Sequence, residues 1–179
     1  SVTIKAINDS PVLANTGSSL QFTEGDGESI LEPNLSLTEV DNNTIKSATI
    51  KISTNYQKNE DVLRFTNQNE IIGSYESNQG ILTLNGSDTL ENYQKALQSV
   101  LYTNTSDNPN TRPRKITWSV NDGTDDSEPV TTSVTIKAIN DLPVLANAES
   151  SLQFTEGDGE SIVEPNLTLT DIDNNKIES

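Results

Sequence analysis

The chain has 179 residues, 31% of them hydrophobic, with 27 acidic against 11 basic side chains, a formal net charge of -16, and no Cys, His or Met. Those absences exclude disulfide frameworks, thiol or imidazole catalysis and Cys- or His-ligated metals. The acidic balance argues against a nucleic-acid partner, and no apolar run approaches the roughly 20 residues that insertion across a membrane requires.

Internal repetition is the strongest signal. SVTIKAINDSPVLAN at 1–15 returns as SVTIKAINDLPVLAN at 133–147, and SSLQFTEGDGESILEPNLSLTEVDNN at 18–43 returns as SSLQFTEGDGESIVEPNLTLTDIDNN at 150–175. Residues 133–179 thus repeat residues 1–47 at an offset of 132, with nine differences and no gap. A period of that length is a domain, not a solenoid coil. The expected organisation is the last strand of a preceding repeat (1–9), a complete repeat (10–141) and the first part of a following one (142–179).

In chain order, period-two alternation marks strands at Val2, Ile4 and Ala6, along Val12 to Phe22, and along Ile30 to Leu37. It recurs at Ala48, Ile50 and Ile52, at Leu63 and Phe65, at Leu82 and Leu84, at Ile116, Trp118 and Val120, and at Val134, Ile136 and Ala138. Alternation of this kind buries one sheet face and wets the other. Gly25-Asp26-Gly27, Asp41-Asn42-Asn43, Asn85-Gly86 and Asp122-Gly123 are the intervening turns. Between Asp88 and Val100, Leu90, Tyr93, Ala96/Leu97 and Val100 fall three or four apart, which predicts one short helix over about 88–100 with Asp88 as N-cap and Glu91 completing a capping box. The predicted fold is an all-β, Greek-key, immunoglobulin-like antiparallel β-sandwich with that single helix.

If antiparallel strands cross the domain, residues one strand apart lie at opposite poles. That places Asn8, Asp9, Glu39, Asp41 and Asp122 at one end, the head, and Glu24, Asp26, Asn140 and Asp141 at the other, the foot, with Asp107 nearby. Glu156, Asp171 and Asp173 are the same positions one period later. Clustered like charges call for a cation, and an all-oxygen donor set suits Ca²⁺ before Mg²⁺. Asp125, Asp126 and Glu128 read as a solvated loop and Trp118 as core. No aromatic cleft accompanies the paired carboxylates, so no enzymatic activity is expected.

The frame Ala-Ile-Asn-Asp-x-Pro-Val, a Glu about 15 residues later, Thr-Asp-Ile-Asp-Asn about 30 later and a penultimate strand ending Val-Asn-Asp-Gly-Thr resemble bacterial cadherin-like repeats of large surface adhesins of the RTX and VCBS-repeat type. The resemblance spans the chain. It implies a calcium-binding linker at Asn8-Asp9 and Asn140-Asp141, an early Glu at Glu24 and Glu156, an acidic pair at Glu39/Asp41 and Asp171/Asp173, and a closing acid at Asp122. The linker's usual first Asp is Ala6 or Ala138 here, its final Asn is Ser10 or Leu142, and the mid-domain acidic pair is absent, with Asp107 as the stand-in. One or two ions per junction are therefore expected. The implied function is a calcium-rigidified spacer of a long extracellular adhesin, mediating surface attachment or biofilm formation. Its expected partners are the neighbouring repeats, with cell-surface polysaccharide as a further one. The alternatives are a calcium-dependent carbohydrate-binding module and a homophilic cell–cell adhesion domain.

Overall fold

The computed structural model describes residues 2–5, 7–14, 17, 19–146, 153–163 and 166–174. The chain divides into two compact units, Ser1–Ala138 and Ile139–Ser179. The first contains β1 (Val12–Ala14), β2 (Ser19–Thr23), β3 (Ser29–Ile30), β4 (Ser36–Thr38), β5 (Thr44–Thr54), β6 (Asp61–Arg64), β7 (Ile72–Glu76), β8 (Ile81–Thr89), α1 (Leu90–Gln98), β9 (Leu101–Asn104), β10 (Arg114–Asn121) and β11 (Val130–Lys137).

Alternation does what the sequence pattern requires. In β10, Arg114, Ile116, Trp118 and Val120 turn inward while the residues between them face outward. In β5 the phase shifts once: Ile45 and Ala48 are both buried although three residues apart, because a bulge between Ile45 and Ser47 inserts one residue into the ladder with β8. A six-stranded sheet in the order β2-β11-β10-β5-β8-β7 faces a three-stranded sheet β3-β9-β6, and β1 pairs with β4. Phe22 from the large sheet meets Tyr102 from the small one edge-to-face, with ring centroids 5.3 Å apart. The fold is the expected all-β sandwich, with one helix among the described residues.

Several details differ from the sequence expectation. The run Val12 to Phe22 is two strands, broken around Gly17, which sits at a φ of 70°. Its first half joins β4, and its second half pairs with β11 in parallel, so one ladder of the sandwich is not antiparallel. The run Ile30 to Leu37 divides likewise between β3 and β4, with Leu31 and Leu35 buried on either side of the turn at Pro33-Asn34. The helix is shorter than 88–100, and Thr89 caps it instead of Asp88. Thr89 Oγ1 accepts from the Asn92 N–H at 3.2 Å, while Asp88 Oδ1 accepts from the Thr89 N–H and from Asn92 Nδ2, both at 2.7 Å. The Asn92 amide and the Thr89 N–H hold the Asp88 carboxyl below its usual range. Glu91 pairs with Lys95 one turn on. Thr89→Ala should therefore cost about 1 kcal/mol in urea unfolding, the ordinary worth of an N-cap.

The strand expected at Val2, Ile4 and Ala6 is not formed: residues 2–5 lie outside any strand, Val2 and Ile4 are exposed, and Ala6 lies outside the described residues. Their repeats Val134 and Ile136 are buried, because β11 is flanked by β2 and β10. In the second unit, β12 (Val144–Ala146) pairs with β13 (Thr168–Thr170), with Leu145 opposite Leu169 as Leu13 is opposite Leu37.

A candidate cation site at the head of the repeat

Strand direction sets the poles of the first unit. β11 descends from Val130 to Lys137, about 26 Å at roughly 3.3 Å per residue. β10 climbs to Asn121, whose ladder partner Ser47 lies near the start of β5. The loop after β10, the loop between β4 and β5, and residues 8–9 therefore share one end.

Asp122 anchors that end. Its Oδ1 accepts from the backbone N–H of Thr124 at 2.7 Å and of Asp125 at 2.8 Å, closing an Asx turn over Gly123, which sits at a φ of 108°. Its Oδ2 accepts from Asn8 Nδ2 at 2.9 Å and from Asn42 Nδ2 at 3.2 Å. Asn8 Nδ2 also donates to Asp125 Oδ2 at 2.9 Å, and Asn42 Nδ2 donates to Asn8 Oδ1 at 2.8 Å. Asp41 Oδ2 accepts from the Asp9 N–H at 2.7 Å. Glu39 Oε1 takes the N–H groups of Val40 and Asp41, and its Oε2 is buried without a hydrogen-bond partner among the described residues. Burial opposes charge on Asp122. Against it, the Asp125 N–H, the Asn8 amide, the Thr124 N–H and the Asn42 amide together hold the carboxyl below its usual range.

Asn8, Asp9, Glu39, Asp41 and Asp122 are thus linked in one network, as their heights suggested. Asn42 and Asp125 join them and were not singled out as ligands from the sequence. Asn42 carried a signal, since it recurs as Asn174. Asp125 carried none beyond its place in an acidic loop.

At the other end of the first unit, the Glu24 N–H donates to the Lys137 carbonyl at 2.9 Å where β2 and β11 finish. Asp26 turns back so that its Oδ2 accepts from the Thr23 N–H at 2.7 Å, which gives this carboxylate a turn-closing role. Asp107 is exposed in the loop after β9.

The second unit rebuilds the local half of the head network. Asn140 Nδ2 donates to the Asp141 carbonyl, as Asn8 Nδ2 does to that of Asp9. The Asp141 N–H donates to Asp173 Oδ2, and the Asp173 N–H to Asp171 Oδ1, matching Asp9 to Asp41 and Asp41 to Glu39. Asn174 Nδ2 donates to Asn140 Oδ1, matching Asn42 to Asn8. Glu156 lies in an exposed turn closed by Asp158 on the Thr155 N–H.

Among the described residues, no three acidic side chains stand close enough together to hold a metal ion. The positive end of an Asn8 amide lies between Asp122 and Asp125. The donor set is nonetheless all oxygen and amide, and the partnerless Glu39 Oε2 is the kind of buried acceptor a cation satisfies. To hold calcium, Asp122, Asp125, Asp41 and Glu39 would have to draw closer together than they stand, and the Asn8 and Asn42 amides, which now turn their N–H groups to the carboxylates, would have to present their oxygens. Trp118 is core as expected: its Nε1–H donates to Thr132 Oγ1, which in turn donates to buried Glu32.

Compared with protein-family models and with curated proteins, the sequence has no match to either.

Proposed function

We propose that this chain is a tandem, calcium-stiffened spacer from a long extracellular adhesin of the cadherin-like kind, holding a distal binding region away from a cell surface. The observation that supports this reading is the duplicated network. The same linker-to-loop bonds tie Asn8-Asp9 to Asp41 and Asn42, and tie Asn140-Asp141 to Asp173 and Asn174, while Glu39 and Asp171 brace each loop from within by accepting from the Asp41 and Asp173 N–H groups. Each linker between repeats is therefore lashed to the opening loops of the repeat that follows it. A divalent ion there restricts bending of the linker and relieves repulsion in a chain of net charge -16.

Extracellular calcium sites bind at about 10⁻⁴–10⁻³ M. Calcium at ten to a hundred times Kd should then stabilise the folded chain by about 1.4–2.7 kcal/mol, raising Tm by several degrees. Asp122→Ala should remove most of that rise in the first unit, and Asp141→Ala should alter the calcium dependence of the small-angle scattering profile. The Asp122 carboxyl is depressed in the folded state, so its charge, and with it the response, is complete at neutral pH and is lost only as pH falls through that lowered value. A chelator that leaves both Tm and scattering unchanged refutes the calcium mechanism.

A further inference from the structure

The chain has one Trp, four Tyr and three Phe. In the first unit Trp118, Tyr93, Tyr102 and Phe22 are fully buried, and the partly exposed aromatics Tyr56, Phe65 and Tyr75 gather at the β6–β7 side of the sandwich. There the edges of the two sheets part around an open cleft of about 410 Å³, lined by Phe65, Tyr75, Val62 and Leu101 with Arg64 and Glu28 among the polar groups. The aromatic walls are held in place. Phe65 packs against Gly73, where any Cβ would come within 2.7 Å of its ring, so glycine is needed for the ring to lie there. Tyr75 donates from its hydroxyl to the Asp61 carbonyl at 3.0 Å and meets the Tyr56 hydroxyl at 3.3 Å. Burial and that hydroxyl contact keep Tyr75 protonated well above the ordinary tyrosine range.

The rim is polar and electrically balanced. Arg64 Nε stands 3.1 Å from Glu28 Oε1, and among the described residues Arg64 makes no other side-chain bond, so its Nη groups remain open to a ligand. The Thr66 hydroxyl is exposed beside them. Fixed aromatic faces with a few convergent donors and acceptors, in a cleft of this size, form a small-ligand site.

We infer that this cleft binds a neutral sugar unit of a polysaccharide, independently of calcium. A pyranose offers an apolar C–H face to Phe65 and Tyr75 and hydroxyls to the Arg64–Glu28 fork. The paired rim contributes no net charge, and the field of a -16 chain repels uronate-bearing or sialylated glycans. The cleft lies away from the head network, and its occupancy does not depend on the spacer reading.

Cellobiose, maltose and lactose, each titrated into the isotopically labelled full chain and followed by amide NMR shifts, test this. At least one should give saturable shifts confined to residues 28, 62–66, 73–75, 82 and 101, unchanged by a chelator, while glucuronic acid gives none. Arg64→Gln, at an exposed side chain, should weaken the binding about tenfold without lowering Tm. Absence of saturable shifts with all three disaccharides, shifts centred on the head loops, or undiminished binding by Arg64→Gln would each overturn the assignment.

Discussion

Arg114→Met should destabilise the first unit by about 3–5 kcal/mol in urea unfolding, the cost of leaving a buried carboxylate without its counter-charge. Arg114 and Asp61 are both fully shielded from solvent, with Arg114 Nε 3.1 Å from Asp61 Oδ2. The guanidinium also donates to Asp61 Oδ1 and to the carbonyls of Asn110 and Arg112. Asp61 in turn accepts from the Tyr102 hydroxyl at 2.6 Å, from Asn104 Nδ2 at 2.7 Å and from the Gln57 N–H at 2.7 Å. Burial first, and Asp61 beside it second, push the Tyr102 hydroxyl far above the ordinary tyrosine range, so it stays a donor. The pair pins the start of β6, the end of β9 and the start of β10 at the foot of the sandwich. Arg114→Met with Asp61→Leu should recover only part of the loss, because the Tyr102 hydroxyl, the Asn104 amide and the Gln57 N–H then lose their acceptor. A loss below about 1 kcal/mol for Arg114→Met would show that water reaches the pair.

How far the sequence carried depends on the range of the interaction concerned. Strand alternation at Ile116, Trp118 and Val120 and the helical stripe at Tyr93, Ala96 and Leu97 depend on nearest neighbours, and both were legible. So was the gathering of Asp9, Asp41 and Asp122 at one end, because strand length alone sets their height. The division of residues 12–22 was not legible: β1 and β2 belong to different pairings, and only the partners β4 and β11 show it. The cap passed from Asp88 to Thr89 because both residues can cap, and the Asn92 side chain claimed Asp88. Arg114 stands at an inward position of an alternating strand, where a charged residue signals a buried partner. Nothing local identifies Asp61, 53 residues away, as that partner. The aromatic-lined cleft was likewise invisible, since Phe65 reads as an ordinary strand residue, and the strand that carries Tyr75 shows no alternation in the sequence.

Phe22→Ala and Phe154→Ala are the same substitution in the same local sequence, and they should differ by the whole energy of a core side chain. The Phe22→Ala change should cost about 3–5 kcal/mol, while Phe154→Ala should leave urea unfolding of the first unit unchanged. Phe22 is 0% exposed and Phe154 60%; Leu13 is 5% and its repeat Leu145 63%. The same contrast holds for Leu31 against Val163, Leu35 against Leu167, and Leu37 against Leu169. The opening segments are nearly identical and form the same β1–β4 type of ladder in both units. In the first unit, β5 to β11 and α1, with Ile50, Trp118, Tyr102 and Val134, complete the core that Phe22 enters. Pairing between the opening strands is thus the same in both units, whereas the exposure of their apolar side chains is not. An equal loss from Phe154→Ala in the first unit's unfolding would mean that Phe154 belongs to the same cooperative unit as Phe22, against its 60% exposure.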